Sequence, residues 1–254
     1  MTGWLGGELH ELAACASTND EAAERAAAGA PHGTVVVAAE QRRGRGRLGR
    51  AWYSPPGENL YLSCVLRPPL APVALPPLTL AAGVAVAEAV AALGPRAAVK
   101  WPNDVTVAGR KLAGILTEMT TRGERIDYVV LGIGVNLGSR SFPPELAGVA
   151  TSIELEGGRA ASPADFRARL LPGLETWLDR FFEGGVPAIG PAWTEWSGMA
   201  GARVRVTEGS RVVEGIACGI GPDGSLDVRD DRGHHVMVMA GDVVIVQPAA
   251  RGER

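Results

Sequence analysis

The chain has 254 residues, 46% hydrophobic and 21% charged, with a formal net charge of −3. That size suits one large domain or a main domain plus a small one, and the acidic total disfavours a general nucleic-acid binder. Cys15, Cys64 and Cys218 lie far apart, with neither metal spacing nor a disulfide framework; no basic segment leads an apolar core at the N-terminus, so a cytoplasmic address is expected.

Thr18-Asn19-Asp20-Glu21 fits a capping box, opening an Ala-rich helix that ends at Gly29. Residues 34–39 open on the β-branched run Thr34 to Val37 and predict a short buried strand. Gln41 to Arg50 has neither helical nor strand periodicity, and residues 59–66 read as a strand. Residues 78–93 predict a core helix: the apolar run opens on Pro76-Pro77 and carries Glu88, which reads as buried helix rather than membrane span. Residues 99–101, 105–107, 112–119 and 128–135 predict further strands.

Ser162-Pro163 starts a helix whose apolar stripe is Phe166, Leu170, Leu174, Trp177, Leu178 and Phe181, with a kink expected at Pro172-Gly173. From Arg203 the pattern changes to short alternating segments at 203–206, 212–220, 226–228, 236–239 and 243–246, separated by turn signals. Five short strands in so few residues predict a small antiparallel barrel, with a boundary near Gly198. The expected class is α+β: a mixed β-sheet with packed helices in 1–198 and a barrel in 199–254.

The positive charge is unevenly written. There are 25 Lys and Arg residues, and the two lysines, Lys100 and Lys111, share one short segment while the other 23 are arginine. Lys is a compact point charge and Arg a rigid planar fork, so the segment is read as placing an ammonium where a guanidinium does not fit. Gly44-Arg45-Gly46-Arg47-Leu48-Gly49 matches the dinucleotide fingerprint literally, but that motif must open a helix, and Pro55-Pro56 follow. Gly132-Ile133-Gly134 fails as well, because Leu137 holds the sixth position. What remains is a flexible loop with Arg42, Arg43, Arg45, Arg47 and Arg50. A solvated charge run, a nucleic-acid arm, and a loop closing over a small phosphorylated ligand, with Trp52 packing on a flat ring, all stay open.

Four segments in order carry a resemblance: Ser17-Thr18-Asn19; Gln41 with Gly44 to Trp52; Lys100-Trp101-Pro102-Asn103-Asp104 with Lys111-Leu112-Ala113-Gly114-Ile115-Leu116; and Gly132 to Asn136. Together they resemble the biotin protein ligases (biotin–[acetyl-CoA-carboxylase] ligases). The resemblance is strong over 17–136 and weaker through the C-terminal strands, which look like the family's SH3-like barrel; it implies the catalytic sheet shared with class II aminoacyl-tRNA synthetases. It also implies that biotin and MgATP give biotinyl-5′-AMP, whose acyl group passes to a lysine of a biotin carboxyl carrier domain.

On the same ground Lys111, with Arg45 and Arg47, is expected to be catalytic, because two anions must meet and the barrier calls for fixed cations. Biotin is expected to touch Ser17, Thr18, Asn19, Gln41, Gly44, Arg45, Gly46, Arg47, Lys111 and Gly114. ATP is expected to touch Arg45, Arg47, Arg50, Trp52, Lys111 and Asn136. Asn103 and Asp104 are assigned to phosphate, Mg²⁺ or the acceptor lysine without a choice among them, and metal ligands stay unknown. Without the resemblance, Ser17 and Thr18 serve equally as helix caps, Asn136 as a turn residue, and Trp101-Pro102 as packing.

Larger members carry an N-terminal DNA-binding winged helix, and sixteen residues before Ser17 are too few for one. A monofunctional enzyme is therefore expected, with no DNA or membrane partner. A homodimer through exposed sheet edges is left open. The rival enzyme is a lipoate or octanoate ligase or transferase of the same fold; a non-catalytic biotin or nucleotide sensor and an Arg-rich nucleic-acid module are the rivals from other classes. His10, His32, His234 and His235 show no metal spacing and are read as surface or packing residues.

Overall fold

A computed structural model describes residues 3–249. Along the first part run β1 (Leu9–Leu12), α1 (Thr18–Ala27), β2 (Val35–Ala38), β3 (Leu60–Leu66), α2 (Leu78–Ala91), β4 (Ala97–Lys100), β5 (Asp104–Val107), β6 (Arg110–Arg122), β7 (Arg125–Val135) and α3 (Pro163–Trp196). β8 (Arg203–Glu208), β9 (Arg211–Ile220), β10 (Leu226–Arg229), β11 (His235–Val238) and β12 (Asp242–Gln247) follow. The first seven strands form one sheet in the order β1-β2-β3-β7-β6-β5-β4, and the last five form another in the order β11-β10-β9-β8-β12. Only β1 and β2 pair in parallel in the first sheet, which makes it mixed; the second is antiparallel throughout.

Strand alternation gives the large sheet two different faces. On one face, Val36, Val65 and Val130 meet Ala22 and Ala26 of α1, forming a small apolar cluster. Ser63, Gly132 and Gly134 have the same parity along their strands, so the face that carries α1 is also where side chains become small or polar. The opposite face carries the main core, with α2 and α3 packed on it and on each other. Eleven of the fourteen residues of α2 are buried, and its Glu88 accepts from Trp177 Nε1 at 2.9 Å. Residues Pro72–Ala91 are long and apolar enough to cross a membrane, yet 72% of that window is buried inside the fold.

Several expectations are corrected. The cap of α1 is Ser17, whose side chain accepts from the Asn19 N–H, rather than Thr18, which is already helical. The kink of α3 lies at Gly185 (φ 60, ψ −151) and not at Pro172-Gly173. Paired glycines at 184 and 185 supply backbone freedom just ahead of Pro187, whose ring disfavours helix in the residue before it. β1 has no counterpart among the predicted strands, and the arginine-glycine segment contains one 3-10 turn, Arg47–Gly49, with Leu48 at φ 56. The five C-terminal strands lie where the alternation placed them; residues 250–254 fall outside the described part.

Candidate active site

The site is built on a floor without side chains. Gly114 of β6 pairs with Gly134 of β7, and Leu116 with Gly132. The indole of Trp52 lies flat over this floor: a methyl at Gly134 would sit 2.5 Å from Trp52 Nε1, and one at Gly114 would sit 3.1 Å from its ring. Asn19, in the first turn of α1, presses as closely on Gly132. A side chain at Gly132 or Gly134 would displace the amide or the indole, and one at Gly114 would crowd the indole and Lys111.

Around the floor lies a cavity of about 440 Å³, within the usual range for small-molecule sites. Ser17, Thr18, Asn19, Gln41, Arg45, Gly46, Arg47, Arg50, Trp52, Asn103, Asp104, Lys111, Gly114 and Asn136 all line it, so nearly every residue expected at a ligand is gathered in one place. Gly44 is the exception among the expected contacts. Its Cα faces Ser54 Oγ and the Trp52 carbonyl, each 2.6 Å from where a Cβ would stand, so it lets the two limbs of the loop close instead of forming cavity wall.

One end of the cavity is polar and tightly bonded, its charge confined to Glu118 and the Arg45 that pairs with it. Gln41 Oε1 accepts from the Thr18 N–H at 2.8 Å and from its hydroxyl at 3.1 Å, while Gln41 Nε2 donates to Ser54 Oγ at 3.0 Å. Buried Ser63 lies 2.8 Å from Thr18 Oγ1 and 2.6 Å from Asn19 Oδ1, and Asn19 Nδ2 donates to Glu118 at 2.6 Å. Ser63 and Glu118 escaped the sequence reading; the available signal was a hydroxyl interrupting the apolar run of β3.

The middle and far end are cationic. Lys111 Nζ is 2.6 Å from Asp104 Oδ1 and stands 5.4 Å from the centre of the Trp52 ring. A bulge aims it there: Val105 pairs with Ala113 but Thr106 with Lys111, leaving Leu112 as the extra residue. In an unbulged strand of the same sequence, Lys111 would alternate away from the face of Gly114 and Leu116. Gly114, the Trp52 face and Asp104 together leave room for a compact ammonium more than for a planar guanidinium.

Arg47 donates to neutral Asn103 Oδ1 at 3.2 Å, and among the described residues no carboxylate pairs with it. Burial lowers its pKa from the ordinary value, with the charges of Asp242 and Asp104 acting the other way; a guanidinium stays charged regardless. Arg45 differs, held by Asp20 at 2.7 Å and Glu118 at 2.9 Å. Arg50 reaches the second sheet and pairs with Asp242 at the start of β12, a bond that raises its pKa. Asp242, Val243 and Val244 thus complete the cavity wall from a distant part of the chain. Asn136, just past β7, is buried and donates to the Thr151 carbonyl at 3.0 Å. Trp101 is buried too, donating to the Gly224 carbonyl at 3.0 Å, and it lines the cavity together with Pro102.

The arrangement offers a hydrogen-bonding slot for an uncharged polar ring, followed by cations able to hold phosphate. Residues 13–136 match the biotin/lipoate A/B protein ligase family, and residues 200–246 match the biotin protein ligase C terminal domain. A Mycobacterium tuberculosis protein named biotin--[acetyl-CoA-carboxylase] ligase is 38% identical over 250 residues, covering 96% of this chain and 90% of its own length. The Paracoccus denitrificans protein of the same name is 36% identical, with 90% of this chain and 97% of the relative covered. Biotin protein ligase from Aquifex aeolicus, in a structure with biotin and ATP, is similar at a TM-score of 0.81 and 26% identity, covering 95% of this chain and 99% of that one.

Proposed function

The chain belongs to the biotin protein ligase family, and we propose that its cavity joins biotin to ATP as biotinyl-5′-AMP and then passes the biotinyl group to a lysine of a biotin carboxyl carrier domain. The observation that carries this is the gathering of Lys111, Arg47 and the Thr18–Gln41–Ser63 network around one glycine floor.

Each end suits its part. The ureido ring of biotin needs donors and acceptors in an otherwise apolar slot, which Thr18, Asn19 and Gln41 supply. In the first step a carboxylate oxygen attacks the α-phosphorus and pyrophosphate leaves. Both reactants are anions, so Lys111 and Arg47 lower the barrier by neutralising charge that converges in the transition state. In the second step the acceptor amine attacks the acyl carbon, AMP leaves, and the amide forms. Asn136, which lines the same cavity, takes the adenine edge, and Trp52 offers its ring as a platform.

Magnesium would come with the nucleotide. Such ions are held by one or two carboxylates plus substrate phosphates, and Asp104 fits, since its Oδ1 is buried without a hydrogen bond while the Lys111 ammonium stands 2.6 Å away. Bound there, the ion would offset phosphate charge.

Residues 1–198 carry the chemistry in this reading, and 199–254 brace the wall through Asp242. The loop from Arg42 to Trp52 acts as a lid that shields the adenylate from water. Limited proteolysis checks the lid: biotinyl-AMP should slow cleavage within 42–52, and equal cleavage would discard it. The activity is checked by transfer of labelled biotin to a carrier domain. Transfer that needs ATP supports the assignment, and absence of transfer with ATP present refutes it.

A further inference from the structure

Away from the cavity, three side chains of metal-binding chemistry meet on the second sheet. Cys218 of β9, Asp227 of β10 and His235 of β11 bring sulfur, carboxylate oxygen and ring nitrogen within 4.8 Å of one another. Their separation along the chain explains why no spacing announced them; adjacent strands do the gathering.

The backbone favours the meeting. Asp227 pairs with Gly219 but Val228 with Ala217, so Cys218 is the extra residue of a bulge, a device that redirects a side chain. On the other side Asp227 pairs with Met237 and Arg229 with His235, placing His235 diagonal to Asp227 within reach across the ladder. His235 Nδ1 lies 2.8 and 2.9 Å from the two Asp227 oxygens. The Cys218 thiol makes only a long contact, 3.5 Å to the Ile216 carbonyl. It is also exposed, whereas Cys15 and Cys64 are buried, with burial pushing their thiols up to about 11 and about 12.

We propose that Cys218, Asp227 and His235 form a binding site for a borderline divalent transition-metal ion of the zinc type, with a fourth position open to solvent. The ligand set argues the class: sulfur and imidazole select such ions, while magnesium and calcium ask for six or more oxygens. Bond lengths of about 2.0–2.3 Å put tetrahedral ligand atoms roughly 3.3–3.8 Å apart, so rotamer adjustments from the present positions suffice. A thiolate and a carboxylate balance the double positive charge; the Cys218 thiol proton and the proton between His235 and Asp227 are both released to solvent when the ion enters. The ion ties β9, β10 and β11 together, on the side of the sheet remote from β12 and the cavity.

The test uses the untagged, chelator-stripped full chain without nucleotide, titrated with Co²⁺ and then Zn²⁺. One cobalt ion per chain, a sulfur-to-cobalt charge-transfer absorption in the near ultraviolet, and displacement by zinc are expected. Zinc should also slow alkylation of the exposed thiol. Cys218→Ser should abolish the absorption, and His235→Ala and Asp227→Asn should weaken binding about tenfold or more. His234→Ala, whose imidazole faces Asp230 instead, should change nothing. Cobalt bound without the absorption, unchanged affinity in Cys218→Ser or His235→Ala, or alkylation unaffected by zinc would each overturn the proposal.

Discussion

The two ends of the cavity solve recognition in opposite ways. At the Gln41 end every polar group already has a partner: Thr18, Gln41, Ser63, Asn19 and Glu118 form one connected network. At the Lys111 end the charges are left partly uncompensated, with Arg47 bonded to an amide and Lys111 sharing a single carboxylate. A satisfied network fixes shape and selects a neutral ring by geometry. Uncompensated cations store unfavourable electrostatics that an incoming anion relieves, which is what a reaction between two anions needs. Arg45 sits between these designs, because two carboxylates hold it.

The sharpest way to break this contrast is Lys111→Arg, which keeps the charge and changes its shape. Adenylate formation should fall about a hundredfold, equivalent to roughly 3 kcal/mol of transition-state stabilisation, while the melting temperature stays near that of the unchanged chain. Pyrophosphate release at a normal rate would show that charge alone suffices, and the argument from the slot between Gly114, Trp52 and Asp104 would fall. Next in size is Gly134→Ala. The added methyl meets Trp52 Nε1 at 2.5 Å, so the indole must leave the floor. ATP affinity should drop about tenfold, roughly 1.4 kcal/mol, with biotin affinity little changed by calorimetry.

Much of this contrast is legible in the sequence, and the part that is not has definite causes. The cations stand out because Lys100 and Lys111 depart from an arginine-rich background and because glycines surround Arg45 and Arg47. Local patterns also gave α1, α2 and every strand from β2 to β12, since alternation and caps are short-range signals. β1 was missed because Leu-His-Glu-Leu lacks β-branched residues and pairs only at a sheet edge. Asp242 was missed because it reaches Arg50 across 192 positions, a distance no spacing rule spans. Gly44 is expected at biotin because it belongs to a contiguous motif, whereas the structure places it between the limbs of the loop and outside the cavity lining. The bulge at Leu112 that aims Lys111 is likewise a pairing irregularity without a sequence mark.

The neutral end is probed by Ser63→Ala. Ser63 is fully buried, and its hydroxyl lies against both Thr18 and Asn19. Removing it strands a partner at a cost of about 1 kcal/mol, which predicts roughly a fivefold rise in KM for biotin with kcat and KM for ATP nearly unchanged. A fall in kcat instead would mean that the network feeds the chemistry directly and that the two ends are not separable.

The smallest expected effect comes from salt, and it separates the ends without any substitution. Raising ionic strength from about 0.1 to about 1 M shortens the screening length from about 10 to about 3 Å. Arg50 and Lys111 are partly exposed, with side chains 64% and 37% accessible, so their pull on a phosphate is open to screening. Exposed charge contacts are worth about 0.5 kcal/mol each, so losing one corresponds to about a twofold weaker ATP interaction. Biotinol keeps the ureido ring and lacks the carboxylate, so its affinity rests on hydrogen bonds and apolar contact without an ionic partner and should stay nearly constant over the same range. Equal salt sensitivity of the two ligands would mean that long-range charge reaches the neutral end as well. The division of labour would then lie in contact geometry, not in electrostatics.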